Sequence, residues 1–408
     1  MKYHIIAPNQ AAGIIDLPTS KSISNRALMI NALSGNQLVV KRISNSDDTH
    51  VMIEALKLQS NEIDVGAAGT SMRFLTAYFA NKLGTWQITG SERMKNRPIA
   101  ILVDALRSIG AEISYVEKEG FPPLQIKGKE LEGGKIALDG SVSSQYISAL
   151  LMVAPIMKNG LTLELLGHIA SRPYIQLTLN MMRYFGIDYD WQENVIKIAH
   201  QTYTPRPFTV ESDWSGASYW YEIVACANNA SIRLLGLQRE SSQGDSKVAD
   251  IFSALGVETV FSGDQVMLKK KAIEVSYFEY DFDHQPDLAQ TVVVTCCLKD
   301  IPFKFTGLQS LHIKETDRIA ALICELRKLG YVLRETAPGV LEYKGEKVEK
   351  IANPSIATYE DHRMAMAFAP AALMFSDIYI ENPQVVSKSY PQYWDHLKEV
   401  GFDVEEIV

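Results

Sequence analysis

Along this chain, apolar residues recur at helical spacing, stop at a glycine, and give way to a strand-like run. The pattern reads Ala105-Leu106-Arg107-Ser108-Ile109-Gly110, then Met182-Arg183-Tyr184-Phe185-Gly186 and Ala254-Leu255-Gly256. It returns as Leu326-Arg327-Lys328-Leu329-Gly330 and Leu397-Lys398-Glu399-Val400-Gly401. Each glycine falls just past a helix end, where a left-handed backbone is required and glycine adopts it at least cost. The residues that follow alternate or run apolar, as strands do. These glycines lie about 70 to 76 residues apart, a regularity that marks a repeated supersecondary unit rather than a common helix stop. An earlier copy, Ala55-Leu56-Lys57-Leu58-Gln59-Ser60, puts Ser60 in the glycine place. It lies only about 50 residues before Gly110, roughly one hairpin short of the repeat. The periodicity predicts six α/β units, the first truncated after Ser60.

Six units divide into three and three. A length of 408 residues exceeds one ordinary core, which also points to two domains. Thr204-Pro205-Arg206-Pro207 interrupts any regular element and marks one crossover; Pro18 marks the other. The expected domains are 19–211, and 1–18 together with 212–408. Two lobes joined by two strands predict a hinge and a cleft.

Hydrophobic content of 47% and charged content of 22% are ordinary for a globular chain. A net charge of −8 provides no basic excess for a nucleic-acid partner. No apolar run approaches the ~20 residues that cross a membrane, and the start, Met1 to Pro8, is too poor in apolar residues for a signal peptide. The four cysteines, Cys226, Cys296, Cys297 and Cys324, lack C-x-x-C spacing and sit in apolar surroundings. Buried free thiols in a reducing cytoplasm are expected. The eight histidines are scattered without ligand spacing, so no metal is expected.

Chemistry gathers where helices begin. In Pro18-Thr19-Ser20-Lys21-Ser22-Ile23-Ser24-Asn25-Arg26, the apolar positions Ile23, Ala27, Leu28 and Ile30 place Lys21 in a first helical turn. A cation there opposes the helix dipole at a cost of about 0.3–1 kcal/mol. With free N–H groups, hydroxyls and Arg26 one turn on, the arrangement suits an arriving anion. Gly66-Ala67-Ala68-Gly69-Thr70-Ser71-Met72-Arg73 opens another helix, with small residues that let a ligand approach the backbone. Arg93-Met94-Lys95-Asn96-Arg97-Pro98 places three cations before a helix with Pro98 in its first turn. Ser141-Val142-Ser143-Ser144-Gln145 and Ser171-Arg172-Pro173-Tyr174 supply more hydroxyls and an amide than capping requires. In the second half, Lys314-Glu315-Thr316-Asp317-Arg318 is read as a helix start, with Lys314 and Arg318 on one face. Arg363 opens a nearly all-apolar helix, where an unpartnered charge is expensive. Asp287 precedes the apolar run from Val292 to Cys297, and Lys388 sits in Ser387-Lys388-Ser389-Tyr390-Pro391. In a clamshell these starts converge on a ligand with several anionic groups. Asp287 and Glu315 are then available for proton transfer.

These motifs, in order and along nearly the whole chain, resemble those of the EPSP synthases: Lys21-Ser22-x-Ser24-Asn25-Arg26, Gly69-Thr70, Arg93-Met94-Lys95-x-Arg97-Pro98, Ser143-Ser144-Gln145, Lys314-Glu315-Thr316-Asp317-Arg318 and Asp361-His362-Arg363-Met364-Ala365-Met366. The resemblance implies a two-lobed inverse αβ barrel of six βαβαββ units. It implies transfer of the enolpyruvyl group of phosphoenolpyruvate to the 5-hydroxyl of shikimate 3-phosphate, releasing phosphate. A cytoplasmic monomer with no cofactor is expected. By position, Lys21, Ser22, Arg26, Ser143, Ser144, Gln145, Ser171, Tyr174, Asp287 and Lys314 should hold shikimate 3-phosphate. Lys21, Gly69, Arg97, Gln145, Arg318, Arg363 and Lys388 should hold phosphoenolpyruvate. The implied catalytic set is Asp287 as base, Glu315 as proton donor, and Lys21 and Lys388 on the departing phosphate. Thr19, Ala67, Phe74 and Ser310 stand where the family commonly has Gly, Asn, Pro and Asn. The alternatives are the sister enzyme acting on UDP-N-acetylglucosamine and a non-catalytic anion-binding paralogue. The first typically carries a cysteine in the region of Arg93–Pro98, where this chain has none. The second would not need carboxylates facing an anion.

Overall fold

A computed structural model describes residues 1–57 and 59–407. The chain separates into two compact units, Ser20–Val210, and Met1–Thr19 with Glu211–Val408. Each unit has its own apolar core.

One sheet pattern recurs throughout. Two strands pair in parallel across a helical crossover, and a hairpin then adds two antiparallel strands to the second of them. In the discontinuous unit, Ala11–Asp16 pairs in parallel with Ala230–Leu235, which continues antiparallel into Gln265–Lys270 and Val257–Ser262. Phe278–Asp281 and Phe303–Thr306 repeat this with Val340–Lys347 and Tyr331–Ala337. The third copy joins Ser355–Ile356 and Ile378–Glu381 to Lys2–Ile6 and Asp403–Ile407, so the N-terminal strand completes a C-terminal sheet. The continuous unit holds two such sheets and one two-stranded parallel pair, Phe208–Thr209 with Val40–Lys41. This pair is the truncated repeat. Among the described residues it has no hairpin, as the short interval before Gly110 predicts.

The first crossover helix of each repeat is almost wholly buried. All ten residues of Ala289–Leu298, all seven of His362–Phe368 and twelve of thirteen in Trp214–Cys226 are buried. In the other unit, Gly69–Ala80 buries eleven of twelve residues, and Lys21–Leu33 and Ser144–Val153 bury eight each. Helices without a polar face are stable only when packed on every side, and here the buried helices of a unit pack on one another and on its sheets and other helices. Gly110, Gly186, Gly256, Gly330 and Gly401 all have positive φ, between 86° and 102°, as the repeat reading requires.

Two expectations need correction. Ser60 does not occupy a glycine-like place, because the helix Asp47–Leu56 stops at its cap Lys57; Ser60 instead accepts a bond from the Glu62 N–H, and Leu58 lies outside the described residues. Cys324 is exposed, whereas the other three cysteines are buried. It lies on the outer face of Arg318–Lys328, whose inner face carries Ile319, Leu322 and Leu326.

Glu222, in Trp214–Cys226, has no exposure and no hydrogen bond to either carboxyl oxygen. Burial pushes its pKa well above the usual carboxylate range. Its contribution to stability is therefore full in acid and is lost as pH rises, because only the unfolded chain ionises it readily. Glu222→Met is expected to raise unfolding free energy by about 1–3 kcal/mol near pH 8 and to flatten its decline with pH. Denaturant titration at several pH values checks this; parallel pH profiles for the two proteins would contradict it.

Candidate active site

In the continuous unit, three buried helices bring their N-termini together. Gln145, in the first turn of Ser144–Val153, donates to the Thr70 hydroxyl at the start of Gly69–Ala80 (3.0 Å). Ser71 donates to the Asp48 carbonyl (3.1 Å), and the Asp48 carboxylate holds Lys21, the first residue of Lys21–Leu33, at 3.0 Å. Ser20 caps the Lys21 helix, and Ser143 accepts a bond from the Gln145 N–H. Ser144 begins the same helix, and Ser171, in a left-handed conformation (φ 52°), leads into Arg172–Tyr184. Helix starts leave N–H groups unpaired within the helix and carry partial positive charge, so this cluster favours anions.

Arg97 reaches the same place. A Cβ on Gly69 would lie 2.7 Å from Arg97 Nη1 and 3.2 Å from Arg73 Nη1. Two guanidinium groups therefore close over backbone that only glycine leaves open. Arg73 is buried and donates to the carbonyls of Gly69 (3.1 Å) and Pro98 (3.5 Å). The Tyr146 hydroxyl also donates to Pro98 O. Pro98 is not in the first turn of a helix, as the sequence suggested. It precedes the cap Ile99 of Ala100–Ser108, while Arg93 and Lys95 lie in their own short helix, Glu92–Lys95.

Arg26 is 3% exposed. It donates to Thr178 Oγ1 (2.7 Å), Ser22 O (2.9 Å), Ser148 Oγ (3.2 Å) and Tyr174 O (3.4 Å). Its guanidinium lies 5.4 Å from the Phe74 ring centroid, so Phe74 gives Arg26 an aromatic face. Burial lowers the Arg26 pKa to about 10, which leaves it charged at neutral pH. Ser22, Arg26 and Tyr174 are thus tied into one network.

The discontinuous unit repeats the design with more charge. Ser218 and Thr291 hydroxyls meet at 3.1 Å near the starts of Trp214–Cys226 and Ala289–Leu298. Asp287, just before the second of these helices, binds Arg363 of His362–Phe368 through Oδ2 (2.8 Å), and its carbonyl accepts from Arg363 Nη1 (3.1 Å). Asp287 Oδ1 also faces Arg318 Nη1 (3.3 Å) and Lys314 (3.8 Å). Arg318 is 1% exposed. Its Nε and Nη2 meet Asp361 at 2.7 and 3.3 Å, and Nη2 meets Glu315 at 3.0 Å. Glu315 in turn lies 3.7 Å from Lys388. All six site residues expected from this unit are therefore joined in one network.

Burial alone would raise the pKa of Asp287, but Arg363, Lys314 and Arg318 outweigh it and hold the carboxylate well below its usual range. Burial lowers the pKa of Lys314, with Asp287 opposing. Asp245 is pushed up to about 6, first by burial and then by Asp287.

Lys314 is not part of a helix with Arg318. The Asp317 carboxylate caps the Ala320 N–H (3.0 Å), so Arg318–Lys328 begins after it. Lys314 is extended instead, and reaches Asp287 from a loop. Sequence reasoning assigns no role to Asp48 or Asp245, nor to Asp361, which it names only as the first residue of a motif. Asp48 and Asp361 could have been found as acidic residues at helix starts, where they cap or offset cations. Asp245 follows Gln243-Gly244, and its carboxylate accepts a bond from Ser215. Among the described residues, no group of three or more His, Cys, Asp or Glu could hold a metal ion.

Asp361 has no exposure and holds buried Arg318 with two bonds. Asp361→Ala leaves that guanidinium without its main partner and is expected to destabilise the protein by about 3–5 kcal/mol. Urea unfolding measures it; a loss below about 1 kcal/mol would mean that the pair is not an anchor.

Comparison with known proteins identifies the family. The sequence pattern described as EPSP synthase (3-phosphoshikimate 1-carboxyvinyltransferase) matches residues 5–60 and 58–397. A protein of Bacteroides fragilis (strain YCH46) named 3-phosphoshikimate 1-carboxyvinyltransferase is 56% identical, covering 99% of each chain. One of the same name from Aliivibrio fischeri (strain ATCC 700601 / ES114) is 37% identical, covering 95% of this chain and 97% of its own. The solved EPSP synthase of Acinetobacter baumannii shares the fold at a TM-score of 0.77 and 20% identity, covering 99% of this chain and 100% of its own. The enolpyruvyl transferase NikO of Streptomyces tendae does so at 0.76 and 14%, covering 99% and 98%. With its repeats, its helix-start clusters and full-length relatives at this identity, the chain belongs to the EPSP synthase family.

Proposed function

We propose that this protein transfers the enolpyruvyl group of phosphoenolpyruvate to the 5-hydroxyl of shikimate 3-phosphate and releases phosphate. It is a 3-phosphoshikimate 1-carboxyvinyltransferase of the shikimate pathway. The observation that carries the reading is the network around Asp287, in which two arginines and a lysine surround a partly exposed carboxylate beside a second acid, Glu315.

In this reading Arg318 and Arg363 take the carboxylate of phosphoenolpyruvate, for which their planar forks are suited. Glu315 delivers a proton to C3, which makes C2 electrophilic. The 5-hydroxyl attacks C2 as Asp287 takes its proton, forming a tetrahedral intermediate. The Glu315 carboxylate then takes a proton back from the C3 methyl as the bond from C2 to the phosphate oxygen breaks, and phosphate departs. Lys388, beside Glu315, and Lys21 neutralise that phosphate, aided by Gly69, Arg97 and Gln145. Ser143, Ser144, Gln145, Ser171 and Tyr174, with Lys21, Ser22 and Arg26, receive shikimate 3-phosphate. Asp287 and Lys314 receive its ring hydroxyls.

The electrostatics add a condition. A carboxylate held far below its usual range is a weak base. The carboxylate of phosphoenolpyruvate competes with Asp287 for Arg318 and Arg363, and that competition restores the basicity of Asp287. Proton abstraction is thereby coupled to arrival of the second anion. We place the protein in the cytoplasm as a monomer that uses no cofactor. Three buried free thiols support the cytoplasmic placement.

Phosphate release with both substrates tests the activity. Asp287→Ala is expected to lower turnover by about 10²–10⁴-fold, with shikimate 3-phosphate binding, read by calorimetry, largely kept. Intact turnover with lost binding would contradict the assigned role. Gly69→Ala should displace Arg97 and raise KM for phosphoenolpyruvate roughly tenfold, with a smaller change for shikimate 3-phosphate. Equal changes for the two substrates would place Arg97 elsewhere.

A further inference from the structure

His312 lies two residues before Lys314, outside the machinery described above. Its Nδ1 is 2.9 Å from Asp317 Oδ2, and its Nε2 is 2.9 Å from Glu335 Oε1. Its side chain is 32% exposed. Both partners are carboxylates and accept hydrogen bonds only, so both ring nitrogens must carry protons for both bonds to exist. A neutral imidazole has one N–H, and its bare nitrogen would point a lone pair at a carboxylate oxygen.

The three groups tie together three elements. Asp317 caps Arg318–Lys328 through the Ala320 N–H (3.0 Å). Glu335, on the strand Tyr331–Ala337, also accepts from the Gly339 N–H (2.7 Å) at the hairpin turn. That turn accepts the Leu308 N–H through Gly339 O (3.1 Å), just ahead of the short helix Gln309–Ile313 that carries His312. The bond from His312 to Asp317 closes a loop whose interior residues include Lys314 and Glu315. Those are the residues that face Asp287, Arg318 and Lys388.

We propose that the doubly protonated His312 is a positioning residue, which holds the Lys314–Glu315 loop in register and makes turnover depend on the charge of an imidazole outside the site. The consequence for turnover rests on the enolpyruvyl-transfer reading, which gives Lys314 and Glu315 their roles. The charged groups facing His312 are Asp317 from the helix that follows and Glu335 from the packed strand; the hairpin turn offers only backbone. The bond to Asp317 raises the pKa of His312 most, partial burial opposes it, and Glu335 adds to the rise. The clamp is therefore complete in mild acid and is lost as pH rises through the elevated pKa of the folded protein.

Phosphate release measured from about pH 6 to pH 9 for the parent, His312→Gln and His312→Arg tests it. The kcat/KM of the parent should exceed that of the Gln variant roughly two- to fivefold in acid, and the ratio should fall toward one in base. The Arg variant keeps its charge and should lack that fall. A ratio constant with pH would overturn the proposal. Melting temperatures of the same proteins read the clamp without turnover: the parent should lose its advantage over the Gln variant in the same pH interval. An offset independent of pH would again overturn it. A parent that releases no phosphate but shows the melting shift would reject the enolpyruvyl reading and keep the clamp.

Discussion

Each unit buries three helices whose N-termini meet, and this constraint governs the rest of the molecule. Helix starts bring partial positive charge and N–H donors to one place, and like ends of dipoles repel unless negative charge joins them. The protein has nonetheless added Lys21, Lys314, Arg318, Arg363 and Lys388 there. What makes this tolerable are carboxylates at the same points: Asp48 against Lys21, Asp361 and Glu315 against Arg318, Asp287 against Arg363. In each unit the cluster is a balance of charges rather than a positive hole. In the proposed mechanism, anionic substrates bind by exchanging with the protein's own acids.

That balance explains why the acids fall into two kinds. Asp361 is buried with Arg318 and also accepts the Arg363 N–H, so it belongs to the framework. Asp287 and Glu315 are partly exposed, with side-chain exposures of 23% and 16%, and share their cations with groups a ligand can reach. Only acids of the second kind can change partner during a reaction. The truncated repeat leaves this arrangement untouched. The missing strands would follow Asp47–Leu56, whereas Asp48 and Lys21 lie at helix starts ahead of the truncation.

The repeat was readable because the five glycines do what only glycine does cheaply, and their spacing survives even where side chains differ. The helix starts at Lys21, Gly69, Ser144 and His362 were readable for a similar reason, since caps and apolar spacing are local. What local rules could not provide was the competition between residues distant in sequence. Asp317 as a cap ended the helical reading of Lys314, and the choice depends on contacts to Asp287. The main partner of Arg318 is Asp361, 43 positions away. Cys324 looked buried from its apolar neighbours, yet the face of an amphipathic helix is decided by what packs against it.

In the proposed mechanism, Arg363 changes partner when phosphoenolpyruvate arrives. Coordinates of the protein with phosphoenolpyruvate and shikimate 3-phosphate held in the site of a slow variant such as Glu315→Gln would test it most directly. Arg363 is expected to turn to the substrate carboxylate and its bond to the Asp287 carboxylate, 2.8 Å here, to lengthen or break, with Arg318 still fixed to Asp361. An unchanged Arg363–Asp287 bond, with the substrate carboxylate bound elsewhere, would contradict it.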